Sequence, residues 1–97
     1  MRIMKDNKMT REKMDYLRLI HHFTGESKSD IDTVLNLLYH AGRYGLKATE
    51  LRQITGWPYR HRCTSALSNV KKAAHVVYFI PSGDKKICGK YYHAGVE

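Results

Sequence analysis

The sequence predicts an α+β fold, mostly α, and three observations predict it. Apolar residues recur at helical spacing from Met9 to about Ala74. Beyond His75 the chain turns to β-branched and aromatic runs, "VVYFI" and "KKICGKYY", either side of the turn cluster "PSGD". Glycines at 25, 42, 45 and 56 stand at the joints between the periodic stretches. Ninety-seven residues can bury one modest core, and an apolar fraction of 42% suits a folded globule better than a disordered tail. Residues 1–28 are read as an N-terminal extension carrying one helix, and residues 29–97 as the domain it accompanies.

Residues 1–8 read as a loose, polar start. From Thr10 a helix is expected, with Met9, Tyr16, Leu17, Ile20 and Phe23 on one broad face. That stripe is more apolar than a surface helix needs. It either lies over the core of its own chain or pairs with a second copy as a homodimer. The second helix has a clear start: Ser29 and Asp32 form an S-x-x-D pattern like a capping box with the shorter acid. Ile31, Val34, Leu35 and Leu38 follow as its stripe, and Gly42 and Gly45 end it. "LKATELRQITG" gives a short third helix, with Leu51 and Ile54 inward and Gly56 as its stop.

The fourth helix, about 58–74, has Pro58 in its first turn, where a missing N–H costs nothing. Cys63, Ala66, Leu67, Val70 and Ala74 gather on one side of it. His61, Ser65, Ser68 and Lys72 centre the other side, flanked by Arg62, Thr64 and Asn69. No acidic side chain falls between residues 56 and 72. Trp57 is assigned to the core of the turn that precedes the helix. A hairpin closes the chain, residues 76–80 pairing with 86–92, with one of Tyr91 and Tyr92 in the core and the other exposed.

Charge gives the first sign of function. The balance is 17 Lys+Arg against 9 Asp+Glu, a net +8, and it is regional: between residues 57 and 96 the only acid is Asp84. A positive field concentrated in this way attracts polyanions, nucleic acid above all.

The order of helix, short helix, tight turn, basic helix and hairpin resembles the winged helix-turn-helix family of DNA-binding domains, in its small stand-alone bacterial or phage type. "TELRQITGW" resembles that family's second helix and turn. "SALSNVKKAAHVVYF" resembles the end of its recognition helix running into the first wing strand, and "GKYYHAG" its closing strand. The match covers about residues 29–95. Between Gly56 and Cys63 stands one residue more than the commonest pattern, and Pro58-Tyr59 replaces the usual start of the recognition helix. The resemblance implies a three-helix core plus a C-terminal wing, here with an extra N-terminal helix, and double-stranded DNA as the partner.

It also implies roles. Small residues at Thr64, Ser65 and Ser68 let a helix approach the groove floor. Arg60 and Arg62 have the planar fork that pairs with guanine. Asn69 faces adenine or phosphate, and Lys71 and Lys72 suit phosphates. His61 is read as a groove-edge residue, and Tyr59 either touches DNA or packs on Trp57. In the wing, 81–86, Lys85 and Lys86 reach backbone or minor groove, with Lys90 continuing the same sign. A winged helix used for protein–protein contact in a nucleoprotein assembly, and an RNA-binding regulator, are the rival readings.

Other classes find little support. Cys63 and Cys88 form no CxxC pair, and no two ligands among the Cys and His residues fall at a structural-zinc spacing, so no metal is expected. Cys63 lies on the apolar side of its helix, where a nucleophile has no access. No phosphate-binding or dinucleotide glycine loop occurs, and no cofactor or small-molecule ligand is expected. No apolar run approaches a membrane span, and charges occupy the place of a signal-peptide core. A non-enzymatic, cytoplasmic DNA-binding regulator is the expectation.

Overall fold

The computed structural model describes residues 9–24, 29–73, 75–81 and 89–95. The expected polar start, Ala74, the turn cluster after Pro81, Lys85, Lys86 and Cys88 lie outside the described residues. The fold is α+β and mostly helical. Four α-helices, α1 (Arg11–Thr24), α2 (Asp30–Ala41), α3 (Ala48–Thr55) and α4 (Arg60–Ala73), precede a two-stranded antiparallel hairpin, β1 (Val77–Ile80) and β2 (Lys90–His93). A 3-10 turn, Gly42–Tyr44, follows α2.

Each helix starts and stops for a local reason. Ser29 caps α2, its hydroxyl accepting from the Asp32 amide at 3.2 Å. At α3 the cap comes from within the helix: Glu50 Oε1 accepts the Lys47 amide at 3.0 Å. Gly56 ends α3 in the left-handed region, φ +75°, and its N–H returns to the Arg52 carbonyl at 2.8 Å. The fourth helix begins at Arg60, two residues later than expected. Pro58 and Tyr59 precede it, and the Tyr59 carbonyl accepts the Arg62 amide at 3.2 Å.

One core joins all four helices and the hairpin. Val34, Leu37, Leu38 and Ala41 of α2, Leu51 and Ile54 of α3, and Cys63, Ala66, Leu67 and Val70 of α4 are buried around Leu46, Trp57 and Val77. Full burial of a Leu or Val removes enough apolar surface to stabilise by about 1.5–3 kcal/mol each. The first helix belongs to this core, packing on α2 and α3 through Met14 and a fully buried Leu17. Asn36 donates to Thr24 Oγ1 at 3.1 Å, and Arg18 Nε donates to the Gln53 carbonyl at 3.3 Å, fastening α1 to both neighbours. The expected single face of α1 is corrected here. Leu17 turns inward, with Met9 and Ile20 packed against the core, while Tyr16 and Phe23 turn outward together with Leu19.

The hairpin register pairs Val77 with His93, Tyr78 with Tyr92, Phe79 with Tyr91 and Ile80 with Lys90. A further antiparallel bridge joins Leu46 to Tyr91, each amide donating to the other's carbonyl at 2.9 Å. This single pair ties the C-terminal strand to the segment just before α3. The expected division of Tyr91 and Tyr92 into one buried and one exposed does not hold, for both are half-buried. Tyr91 packs against the core, and Tyr92 stacks on Tyr78 with ring centres 5.5 Å apart. Gly45 makes that stack possible. A Cβ there would stand 2.7 Å from Tyr92 Cε2, on a backbone already at φ +66°.

Candidate nucleic-acid interface

Helix α4 presents two unlike sides because its apolar residues fall at i, i+3, i+4 and i+7. Cys63, Ala66, Leu67 and Val70 are buried, which obliges the residues between them to face water. His61, Ser65 and Lys72 are exposed along the middle of the outer side, with Ser68 half-buried. Thr64 and Asn69 are exposed on its flanks, together with Arg60 and Lys71. The expected set on α4 therefore shares one outer surface, and Tyr59, 63% exposed, stands at its leading end. The Tyr59 ring lies against His61, centres 5.8 Å apart, while the face of Trp57 is taken by Arg62.

Arg62 is placed differently from Arg60. Its guanidinium donates twice to Asp30, from Nε at 3.0 Å and Nη2 at 2.9 Å, and lies 4.1 Å over the Trp57 ring. The fork that the sequence reading offered to guanine is engaged by a carboxylate of α2 in this structure. Hydrogen bonding to Arg62 holds the Asp30 carboxyl below its usual range, and the same bond raises the Arg62 guanidinium. Among the described residues no carboxylate lies within ion-pair distance of Arg60, Lys71 or Lys72.

Lys90 also departs from the expectation that it extends the positive strip of the wing. Its ammonium donates to the Tyr44 carbonyl at 2.9 Å and stands 3.7 Å from Glu50 Oε2, with only 18% of the side chain exposed. Burial lowers its pKa and Glu50 pulls it partly back. Lys90 is a hairpin-to-α3 tie rather than an outward charge. The sequence could not reveal this, because Glu50 and Lys90 meet only when β2 returns to Leu46.

The helix dipole adds to the charge pattern. The positive end of α4 carries Arg60, His61 and Arg62 with no acid in its first turn, and Asp30 compensates Arg62 alone. What remains is a helix face with small side chains in its middle, cations at both ends and nothing negative of its own. Such a face can hold an anion surface closely, and it holds no obvious acid–base pair. Burial pushes the Cys63 thiol above its ordinary pKa, away from thiolate chemistry. Among the described residues no group of three His, Cys, Asp or Glu side chains could hold a metal ion, and no helix is long and apolar enough to cross a membrane.

Sequence reasoning missed two residues that shape this face. The sequence reading gave Asp30 no role, and its partner lies 32 positions away. Arg52 donates from Nη2 to the Pro58 carbonyl at 3.0 Å, bracing the turn into α4. A basic residue in the last turn of a helix, where carbonyls lack partners, was the available signal. Comparisons with models of known families, with curated proteins and with solved structures return no significant match for this chain.

Proposed function

We propose that this chain is a sequence-specific double-stranded DNA-binding protein of winged helix-turn-helix type, a small transcriptional regulator with α4 as the helix that enters the major groove. The observation that carries the reading is the outer side of α4: small polar residues in its middle, Arg60, Lys71 and Lys72 at its ends, and no acid along its length. Fourteen residues make a rod about 21 Å long. B-DNA's major groove, about 12 Å wide, admits such a rod. Support for the winged arrangement comes from the α3–turn–α4 pair and from the Leu46–Tyr91 bridge, which anchors the hairpin beside the start of α3.

Roles follow from placement. Arg60, at the leading end and without a carboxylate partner among the described residues, reads a guanine edge. Ser65 and Ser68 allow close approach, and Asn69 contacts adenine or a nearby phosphate. Lys71 and Lys72 hold phosphates, which set position but not sequence. Lys85 and Lys86 are proposed as backbone contacts of the wing. Arg62, bound to Asp30 and Trp57, orients the helix.

Selecting bound duplexes from a random pool and then titrating the selected site at several salt concentrations tests the reading. About five phosphate-facing cations give a slope of log affinity against log salt of roughly −4 to −5. Replacing Lys71, Lys72 and Lys86 together with Ala removes more than half of that slope. A flat salt dependence, or affinity untouched by the triple variant, overturns the proposal.

A further inference from the structure

The hairpin carries a row of aromatic faces that ends open. Tyr92 lies on the Gly45 backbone, where even a Cβ would stand 2.7 Å from its ring. Tyr78, its cross-strand partner, stacks against it with ring centres 5.5 Å apart and planes at 17° to one another. Gly45 therefore seats Tyr92, and Tyr92 holds Tyr78, so both rings are set before any ligand arrives. The row runs across the sheet, from the Leu46 bridge through β2 to β1. Among the described residues no strand lies beyond β1, and Tyr78 is 40% exposed. The face of Tyr78 turned away from Tyr92 is the next place in the row.

Shape and charge together select what fills that place. An offset stack of rings accepts a further planar ring in the same manner, whereas an aliphatic side chain gains only contact area. Val76 and Phe79, beside Tyr78 in the chain, are exposed by 43% and 36%, and β1 bears none of the charges that commonly guard a free strand edge. Glu50, the carboxylate that bears on Tyr92, is engaged by the Lys47 amide and the Lys90 ammonium, with 12% of its side chain exposed. The chain as a whole carries a net +8. A planar ring carried on an anionic backbone suits both the stack and the field.

We propose that the outward face of Tyr78 is a stacking site for an unpaired nucleobase of a single strand, DNA or RNA, in line with Tyr92 and Gly45. Every base has such a face, so the site holds bases without reading them. A base inside a duplex has both faces covered by its neighbours and cannot enter. The site is therefore distinct from the outer side of α4 and can be tested apart from it.

Fluorescence anisotropy of an end-labelled pentadeoxythymidylate at low salt tests the site with no duplex present, so its outcome does not depend on α4 entering a groove. A pentauridylate labelled in the same way is the RNA arm. Tyr78→Ala is expected to weaken binding about 5- to 150-fold, and Tyr78→Phe, which keeps the ring, by less than about twofold. A pentamer of the same charge whose sugars carry no bases is expected to bind the unsubstituted chain no better than the thymidylate binds Tyr78→Ala. This last arm needs no substitution, so it stands whatever Tyr78→Ala does to the fold. Failure of both labelled strands to bind, equal affinity for the base-free pentamer, or a folded Tyr78→Ala that binds as before overturns the proposal. So does a Tyr78-dependent dimer in sedimentation, which would put a second copy at the edge of β1.

Discussion

Glu50 has two tasks, and separating them makes a quantitative prediction. One carboxylate oxygen caps α3 by accepting the Lys47 amide, and the other stands 3.7 Å from the Lys90 ammonium. Only 12% and 18% of the two side chains remain exposed. Losing a cap costs about 1 kcal/mol. At this separation and an effective dielectric of about 20, the charge attraction is on the order of 4 kcal/mol, offset in large part by the desolvation of both ions. Removing one partner leaves a half-desolvated lysine behind. Glu50→Ala is therefore expected to cost about 3–4 kcal/mol, and Glu50→Gln, which keeps an oxygen for the cap, about 2–3 kcal/mol. Lys90→Met should cost about 2 kcal/mol, since it leaves the Glu50 carboxylate without its cation and the Tyr44 carbonyl without its donor but spares the cap of α3. The double variant Glu50→Gln/Lys90→Met should be more stable than Glu50→Gln alone by at least about 1 kcal/mol. Urea unfolding followed by circular dichroism at 222 nm reads all four. A domain of 97 residues has roughly 5–15 kcal/mol in total, so these differences are well within range. Equal costs for Glu50→Ala and Lys90→Met, or no recovery in the double variant, would refute the reasoning.

Other outcomes follow from the same contacts. Gly45→Ala meets Tyr92 at 2.7 Å and the Tyr91 carbonyl at 2.9 Å on a left-handed backbone, whereas Gly56→Ala meets nothing within 4 Å. The first is expected to destabilise by about 3–4 kcal/mol and the second by about 1, as thermal melts will show. Arg60→Ala should cost about 1–3 kcal/mol of duplex affinity and relax preference at one base position, whereas Lys71→Ala should reduce the salt slope of binding by about one. Arg62→Ala should instead lower stability and leave that slope nearly unchanged, and a loss of slope in Arg62→Ala would return this residue to the DNA. Because the Asp30 carboxyl is held below its ordinary value of 3.8, its contribution to stability is present above that value and is lost as pH falls through the lowered one. Acid unfolding curves of Asp30→Asn should lack that limb. In a Cys88→Ser background, Cys63 is expected to react with thiol reagents only as fast as the fold opens, and immediate stoichiometric labelling would contradict its burial.

Where neighbours in sequence decide the outcome, the reading was direct. The inner arc of α4 emerged residue by residue because its spacing allows one buried side, and Gly56 announced the turn because few other residues adopt its backbone. The α1 reading was incomplete for the opposite reason. Apolar side chains occupy both of its arcs, so period alone could not separate Leu17, which enters the core, from Phe23, which does not. Met14 was overlooked on the same grounds. Arg62 and Lys90 counted as outward charges because a sum over a segment is blind to a carboxylate 32 or 40 positions away. The Leu46 bridge is one residue long and leaves no alternation to detect. Both half-buried tyrosines depend on it, since Tyr91 is its partner and Tyr92 then falls over Gly45.

The chain's single tryptophan occupies the elbow between α3 and α4, buried and roofed by a guanidinium. That position makes the protein its own optical gauge. Indole emission responds to the electric field of a charge a few ångströms from the ring, so any event that unseats the roof from the elbow changes colour or intensity without an added label. Loss of the Asp30 partner, by acid or by substitution, acts on this one fluorophore, from which the seating of Arg62 can be followed in real time.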